Sequence, residues 1–173
     1  MMNETLQTLL NRRSIRSYKG EQVSRDDLNQ ILKAGTYAAS GSGKQSAVMV
    51  VVQDPEIIAK MSKMNAKVMG VTSDPFYGAP TVIVVFADKN VSTAVEDGSL
   101  VIGNLMNAAY SIGVSSCWIH RAREVFESEE GKKMMKGWGL DTEKYIGVGN
   151  CLLGYSDQEP TAAPRKENYI IRV

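Results

Sequence analysis

Four stretches of this sequence are apolar along their whole length instead of in alternation: AVMVVV (47–52), PTVIVVFA (80–87), VSSCWI (114–119) and YIGVGNCLLGY (145–155). A strand with one wet face alternates apolar and polar residues, so continuous runs rich in branched side chains imply a sheet covered on both faces. The cover must come from the segments between them. Leu6, Leu9 and Leu10 have helical spacing and predict a first helix that stops near Arg12 and Arg13. Ser24 followed by Asp27 resembles a capping box, opening a helix with Leu28, Ile31, Leu32 and Ala39 on one stripe. Asp54 and Pro55 read as the cap and first position of another helix. EDGSLVIGNLMNAAYSIG (96–113) is apolar on most of its circumference and carries Gly98, Gly103, Ala108 and Ala109, which predicts a helix buried all round. Its small residues allow close approach of another helix, within the subunit or across a dimer.

At 173 residues the chain fits one domain, 1–173, able to bury a core without disulfides or metal. With 20 basic and 19 acidic residues the net charge is +1, which gives no field suited to nucleic acid or an anionic membrane surface. No run is long enough for a signal peptide or a membrane span, so the expected compartment is the cytoplasm. Cys117 and Cys151 lie in apolar runs and form no CxxC pair, so they read as small buried hydrophobes. YIIRV (169–173) is apolar and β-prone where a free tail is normally polar, which predicts that the end docks as a strand.

A single His, no HExxH, no metal-spaced cluster and no GxSxG elbow disfavour metal or triad hydrolysis. Ser40-Gly41-Ser42-Gly43-Lys44-Gln45 invites comparison with a phosphate-binding P-loop, but Ala38 stands where the first Gly belongs and Gln45 where Ser or Thr belongs. The order is also reversed, since this loop leaves a helix and enters a strand. Arg12-Arg13-Ser14-Ile15-Arg16 gathers guanidinium forks and a hydroxyl in one turn, good chemistry for phosphate. Taken alone it reads equally as a basic helix end complementing the helix dipole. Pro164-Arg165-Lys166 is a second basic pair, which on its own reads as solvated tail. Met61 to Tyr77, with its Met side chains and Gly70, reads either as a mobile pocket lid or as ordinary helix core.

Taken in order, RRSIRSY, ASGSGKQ, GVSSCWI, and GY followed by PRK resemble the nitroreductase family over essentially the whole chain. The resemblance implies an α+β fold with a mixed central sheet flanked by helices on both faces. It further implies an intertwined homodimer with two FMN sites between the subunits, residues 160–173 forming an arm that docks on the partner. Within the first motif, Arg12, Ser14 and Arg16, with Arg13 beside them, would reach the phosphate and the polar edge of the flavin. Ser40, Gly41, Gly43 and Gln45 match the loop that reaches the flavin from the other subunit, and Arg165 and Lys166 match the C-terminal phosphate ligands. Backbone contacts are expected from Trp118, Ile119 or His120. This chain departs from the usual pattern in having Ala39 for Pro, Gly43 for Asn, and His120-Arg121 where Gly or Glu-Gly is common. His120 then donates to a substrate or caps the strand end, and the second role is preferred.

The resemblance implies an oxidoreductase in which NADH or NADPH and a small-molecule acceptor, such as a nitroaromatic or quinone, use one pocket in turn. No catalytic side chain is expected, because the flavin carries the chemistry. A terminal phosphate suits FMN, and no GxGxxG turn is present for a dinucleotide. The alternatives are another chemistry of the family (dehalogenation, ene reduction, flavin fragmentation) and a flavin-binding or storage protein without turnover. No nucleic acid or membrane partner is expected.

Overall fold

The structure, a computed structural model, describes residues 3–173. The elements run α1 (Glu4–Asn11), α2 (Arg25–Thr36), a short 3-10 turn (Gly41–Gly43), β1 (Ala47–Val52), α3 (Pro55–Met69) and β2 (Thr81–Asp88). They continue with α4 (Ala94–Ser111), β3 (Ser115–Ile119), α5 (Ala122–Glu127), α6 (Glu129–Gly137) and β4 (Tyr145–Gly154). The strands lie in the order β1-β2-β4-β3, each neighbouring pair antiparallel. The mixed character of the sheet within one chain is limited to a parallel bridge between Ser14 and Ser116 at the β3 edge.

The continuous apolar runs have the cause expected of them. Side chains alternate across the sheet, so β2 sends Ile83, Val85 and Ala87 to one core and Val82, Val84 and Phe86 to the other. The first core is closed by Ile31 of α2 and Ile102 and Leu105 of α4, the second by Ile58 and Met61 of α3, Val125 and Phe126 of α5 and Met135 of α6. Phe126 meets Phe86 edge-on, with ring centroids 4.9 Å apart.

Local chemistry sets the helix ends. Ser24 accepts from the Asp27 amide at 3.1 Å while its hydroxyl donates to the Asp27 carboxylate at 2.8 Å. Asp54 accepts from the amides of Glu56 and Ile57, and Gly70 ends α3 in a left-handed conformation. Ala39 does not extend the α2 stripe, because that helix ends at Thr36. α2 crosses α4 at Gly35, where a Cβ would come within 2.8 Å of Leu105 Cδ2, so a larger residue would force the Leu105 and Met49 side chains to shift.

Two apolar surfaces are left uncovered. α4 buries Val101, Ile102, Leu105 and Ala109, yet Val95 and Leu100 are 43% and 50% exposed, so within one chain the helix is buried on one face only. On α1, Leu6, Leu9 and Leu10 are more than half exposed, at 52%, 53% and 58%. The periodicity at 96–113 therefore describes more burial than a single chain supplies. Residues 161–173 are exposed and make no strand within the chain. Among the described residues no helix is long and apolar enough to cross a membrane.

Candidate functional site

The first motif lies where α1 ends against the open edge of β3. Arg13 folds back, its Nη1 donating to the carbonyls of Leu10 (2.7 Å) and Arg12 (2.8 Å), so this one residue takes up the helix-end role. Arg12 is free for something else. Its Nη1 is buried without a hydrogen-bond partner, as is the hydroxyl of Ser116. Both residues line a cavity of about 350 Å³, together with Arg13, Tyr110, Ser115 and Gln158. Ser14 sits on the parallel bridge to Ser116, and the Ile15 amide donates to the Ser116 carbonyl at 3.0 Å. Arg16 is exposed, and its amide is held by the Gln158 side chain at 2.8 Å. A buried donor left without a partner costs about 1–3 kcal/mol. An anion with several acceptor oxygens, such as a phosphate, fits this donor set.

The second motif is a tight turn held by hydrogen bonds within itself and to α4. Ser42, Gly43 and Gln45 all have left-handed backbones, and the Ser40 hydroxyl accepts from the Gln45 amide at 3.0 Å. Asp97, buried near the start of α4, anchors the loop by accepting from the Gly41 amide at 2.9 Å and the Ser46 hydroxyl at 2.6 Å. The Ser46 bond first, then the Gly41 amide, hold its carboxyl below the usual carboxylate range. A Cβ at Gly41 would lie 2.2 Å from Thr93 Oγ1, so this position requires glycine. Sequence reasoning missed Asp97, which stands beside Glu96 at the start of an otherwise small and apolar helical stretch, where an acid in the first turn reads as ordinary helix-dipole chemistry.

These two half-sites do not meet within the chain. The loop is pinned at Asp97, whereas the Arg12 cavity reaches Tyr110 and Gly113 at the other end of α4. Tyr110 is thirteen residue steps along the helix from Asp97, roughly 20 Å.

The β3 exit forms a third part. Trp118 is half-buried, Ile119 is buried, and the His120 side chain is exposed. Their backbone is held by two buried asparagines. Asn150 Nδ2 donates to the Ile119 carbonyl at 3.2 Å, and Asn65 Nδ2 donates to the His120 carbonyl at 2.8 Å. Neither asparagine stood out in the sequence, because a single polar side chain carries no sign of what it will face. Arg165 and Lys166 are exposed and engaged within the tail: Arg165 donates to the Ala163 carbonyl, and the Lys166 ammonium lies 5.1 Å from the Tyr169 ring centre.

Two other expectations resolve. Burial raises the Cys117 thiol and pushes Cys151 up to about 12, so both stay protonated, as small hydrophobes do. In the proposed lid, Met61 is buried and Met64 packs on the core, so this part of the methionine stripe is helix core. Ser62, Ala66, Thr72, Asp74 and Phe76 of that segment help to line a cavity of about 640 Å³ between α3 and residues 72–80, which the sequence did not disclose.

The Nitroreductase family pattern matches residues 9–73 and 67–155. A presumed NADH dehydrogenase/NAD(P)H nitroreductase of Archaeoglobus fulgidus is 32% identical over 163 residues, spanning 91% of this chain and 88% of its own. An NADPH-flavin oxidoreductase of Vibrio harveyi is 25% identical over 98% of this chain and 73% of its own length. A nitroreductase of Bacteroides fragilis, solved with bound FMN, superposes with a TM-score of 0.88 at 28% identity, covering 99% of this chain and all of that one. Family match, relatives and fold agree along the same chain, which belongs to the nitroreductase family.

Proposed function

We propose that the chain is an FMN-dependent oxidoreductase that uses NAD(P)H to reduce nitroaromatics, quinones or similar small acceptors by ping-pong turnover, acting in the cytoplasm as a homodimer. The observation that carries this reading is the buried Arg12 nitrogen beside the buried Ser116 hydroxyl, both without a protein partner at the rim of a cavity. The FMN bound by the Bacteroides fragilis protein supports the assignment of the ligand, and the NADPH-flavin activity in the name of the Vibrio harveyi relative supports the electron donor.

In this reading Arg12, Ser14 and Arg16 of one subunit take the phosphate and the polar edge of the flavin. The partner contributes Ser40, Gly41, Gly43 and Gln45, and the backbone of Trp118 to His120 borders the ring. Arg13 stays on the α1 carbonyls and supports the field at the phosphate. Arg165 and Lys166 leave their tail contacts to complete the phosphate site. When bound, FMN supplies the two-electron chemistry, which suits a site made of donors and cations rather than a nucleophile with its base. The chain's own task is to place and desolvate the ligands, its fixed positive groups favouring negative charge on the ring.

The exposed apolar faces of α1 and α4 form the centre of the subunit interface, which brings the loop of one subunit to the Arg12 cavity of the other. Residues 160–173 extend this single domain as an arm, Tyr169 to Val173 adding a strand to a free sheet edge of the partner. The test is direct. Purified protein should be yellow, release FMN on denaturation, and oxidise NAD(P)H in the presence of a nitroaromatic. Colourless protein that takes up no added FMN would sink the reading, and a flavin-loaded protein without turnover would leave only a storage role.

A further inference from the structure

We propose that Asn65 is a positioning residue that fixes the peptide between His120 and Arg121, and with it the backbone edge offered to the reacting ring of the cofactor; this rests on the function proposed above. Asn65 lies on α3 and is completely buried. A buried amide is tolerated when its groups are paired, and both ends of this one go to the same turn. Nδ2 donates to the His120 carbonyl at 2.8 Å, and Oδ1 accepts from Arg121 Nε at 3.1 Å. On the other side, Asn150 Nδ2 holds the Ile119 carbonyl at 3.2 Å.

Two physical consequences follow. A trans peptide is planar, so fixing the direction of a carbonyl fixes the opposite direction of the N–H in the same unit. Asn150 thereby sets the His120 amide and Asn65 sets the Arg121 amide, each pointing away from the asparagine that holds its carbonyl. Arg121 itself has φ 73°, a left-handed conformation that strains any non-glycine residue. Such strain persists only where the surroundings enforce it. Asn65 grips the strained residue twice, at the preceding carbonyl and at its own side chain.

The experiment compares wild-type dimer with Asn65→Ala, Asn65→Asp, Arg121→Gly and the double variant Asn65→Ala/Arg121→Gly. In FMN-free protein, amide hydrogen exchange across 119–122 should rise at least roughly tenfold in Asn65→Ala. In FMN-loaded protein, Asn65→Ala should shift the flavin absorbance spectrum and midpoint potential and lower kcat by roughly ten- to a hundredfold. FMN Kd and acceptor KM should change by less than about threefold, because the phosphate and the pocket are bound elsewhere. Arg121→Gly removes the strain, so the double variant should recover most of the lost kcat and the native spectrum. Asn65→Asp keeps the size and the acceptor for Arg121 but not the donor to His120, so it should fold and show the spectral shift even if the alanine variant does not. A flavin spectrum and potential indifferent to Asn65, or additive effects in the double variant, would overturn the assignment alone. Wild-type protein that takes up no FMN would overturn the functional reading and this proposal together.

Discussion

Arg12 and Arg13 are adjacent in sequence and identical in kind, yet one caps α1 and the other leaves a buried nitrogen facing a cavity. Residue type and spacing pointed to phosphate chemistry, but not to which guanidinium would be spent on the helix. Arg12→Ala, Arg16→Ala and Arg165→Ala should each weaken FMN affinity by roughly ten- to a hundredfold, if each removes one shielded charge-assisted contact. The exposed Lys44 belongs to a loop with no P-loop geometry, so Lys44→Ala should change affinity less than about threefold in the same fluorescence titration. Asp97 works by shape as much as by charge. Its replacement by Ala should release the Gly41 amide and the Ser46 hydroxyl together and weaken FMN binding at least roughly tenfold, whereas Asn, which still accepts one bond, should lose less. Equal affinities for the two Asp97 variants would remove that anchoring role.

At the scale of elements, all four strands were legible to within about a residue, because sheet burial on two faces leaves an unbroken apolar run. Helix α4 was legible as a helix but not in its surroundings. Its composition asks for cover on every side, while its own chain covers one face and leaves Val95 and Leu100 exposed. We assign the missing cover to the proposed partner; a single sequence does not distinguish it from cover within the chain. Leu100→Lys should therefore shift the dimer toward monomer in sedimentation while far-UV circular dichroism stays native, since the side chain is not part of either core. The tail poses the same problem. A chain ending at Asn168 keeps Arg165 and Lys166 but loses the apolar end; reduced dimerisation and FMN affinity are expected, and undiminished values would refute the docked strand. A chain ending at Asp157 should lose more, because it also removes the two basic residues.

Across the whole molecule, protonation links the core to stability. Cys151 titrates near 12 when folded, through burial, but at about 8.5 in an unfolded chain. Between those values the unfolded state has lost a proton that the native state keeps, so stability should fall as pH rises, by up to about 1.4 kcal/mol per pH unit for one such group. Cys117 and Tyr18, also raised by burial, add to the same alkaline decline. Urea denaturation at pH 7, 9 and 10 should show the loss, and Cys151→Ala should reduce its slope. On the acid side, the lowered carboxyl of Asp97 contributes above the unfolded carboxylate value of about 3.9 and loses that contribution as pH falls through its folded value.

One complete site should need two chains, because the Arg12 cavity and the Ser40–Gln45 loop stand at opposite ends of α4. Mixed dimers test it most directly. One chain carries Arg12→Ala/Arg16→Ala and the other Ser40→Ala/Gln45→Ala, with different affinity tags so that the heterodimer can be isolated. Each homodimer should bind FMN weakly at both sites. In the heterodimer, the intact arginines of one chain face the intact loop of the other, so a single FMN per dimer should bind with wild-type affinity. If the heterodimer binds no better than the homodimers, or if wild-type protein holds FMN as a monomer, the two half-sites do not meet across subunits and the account is wrong.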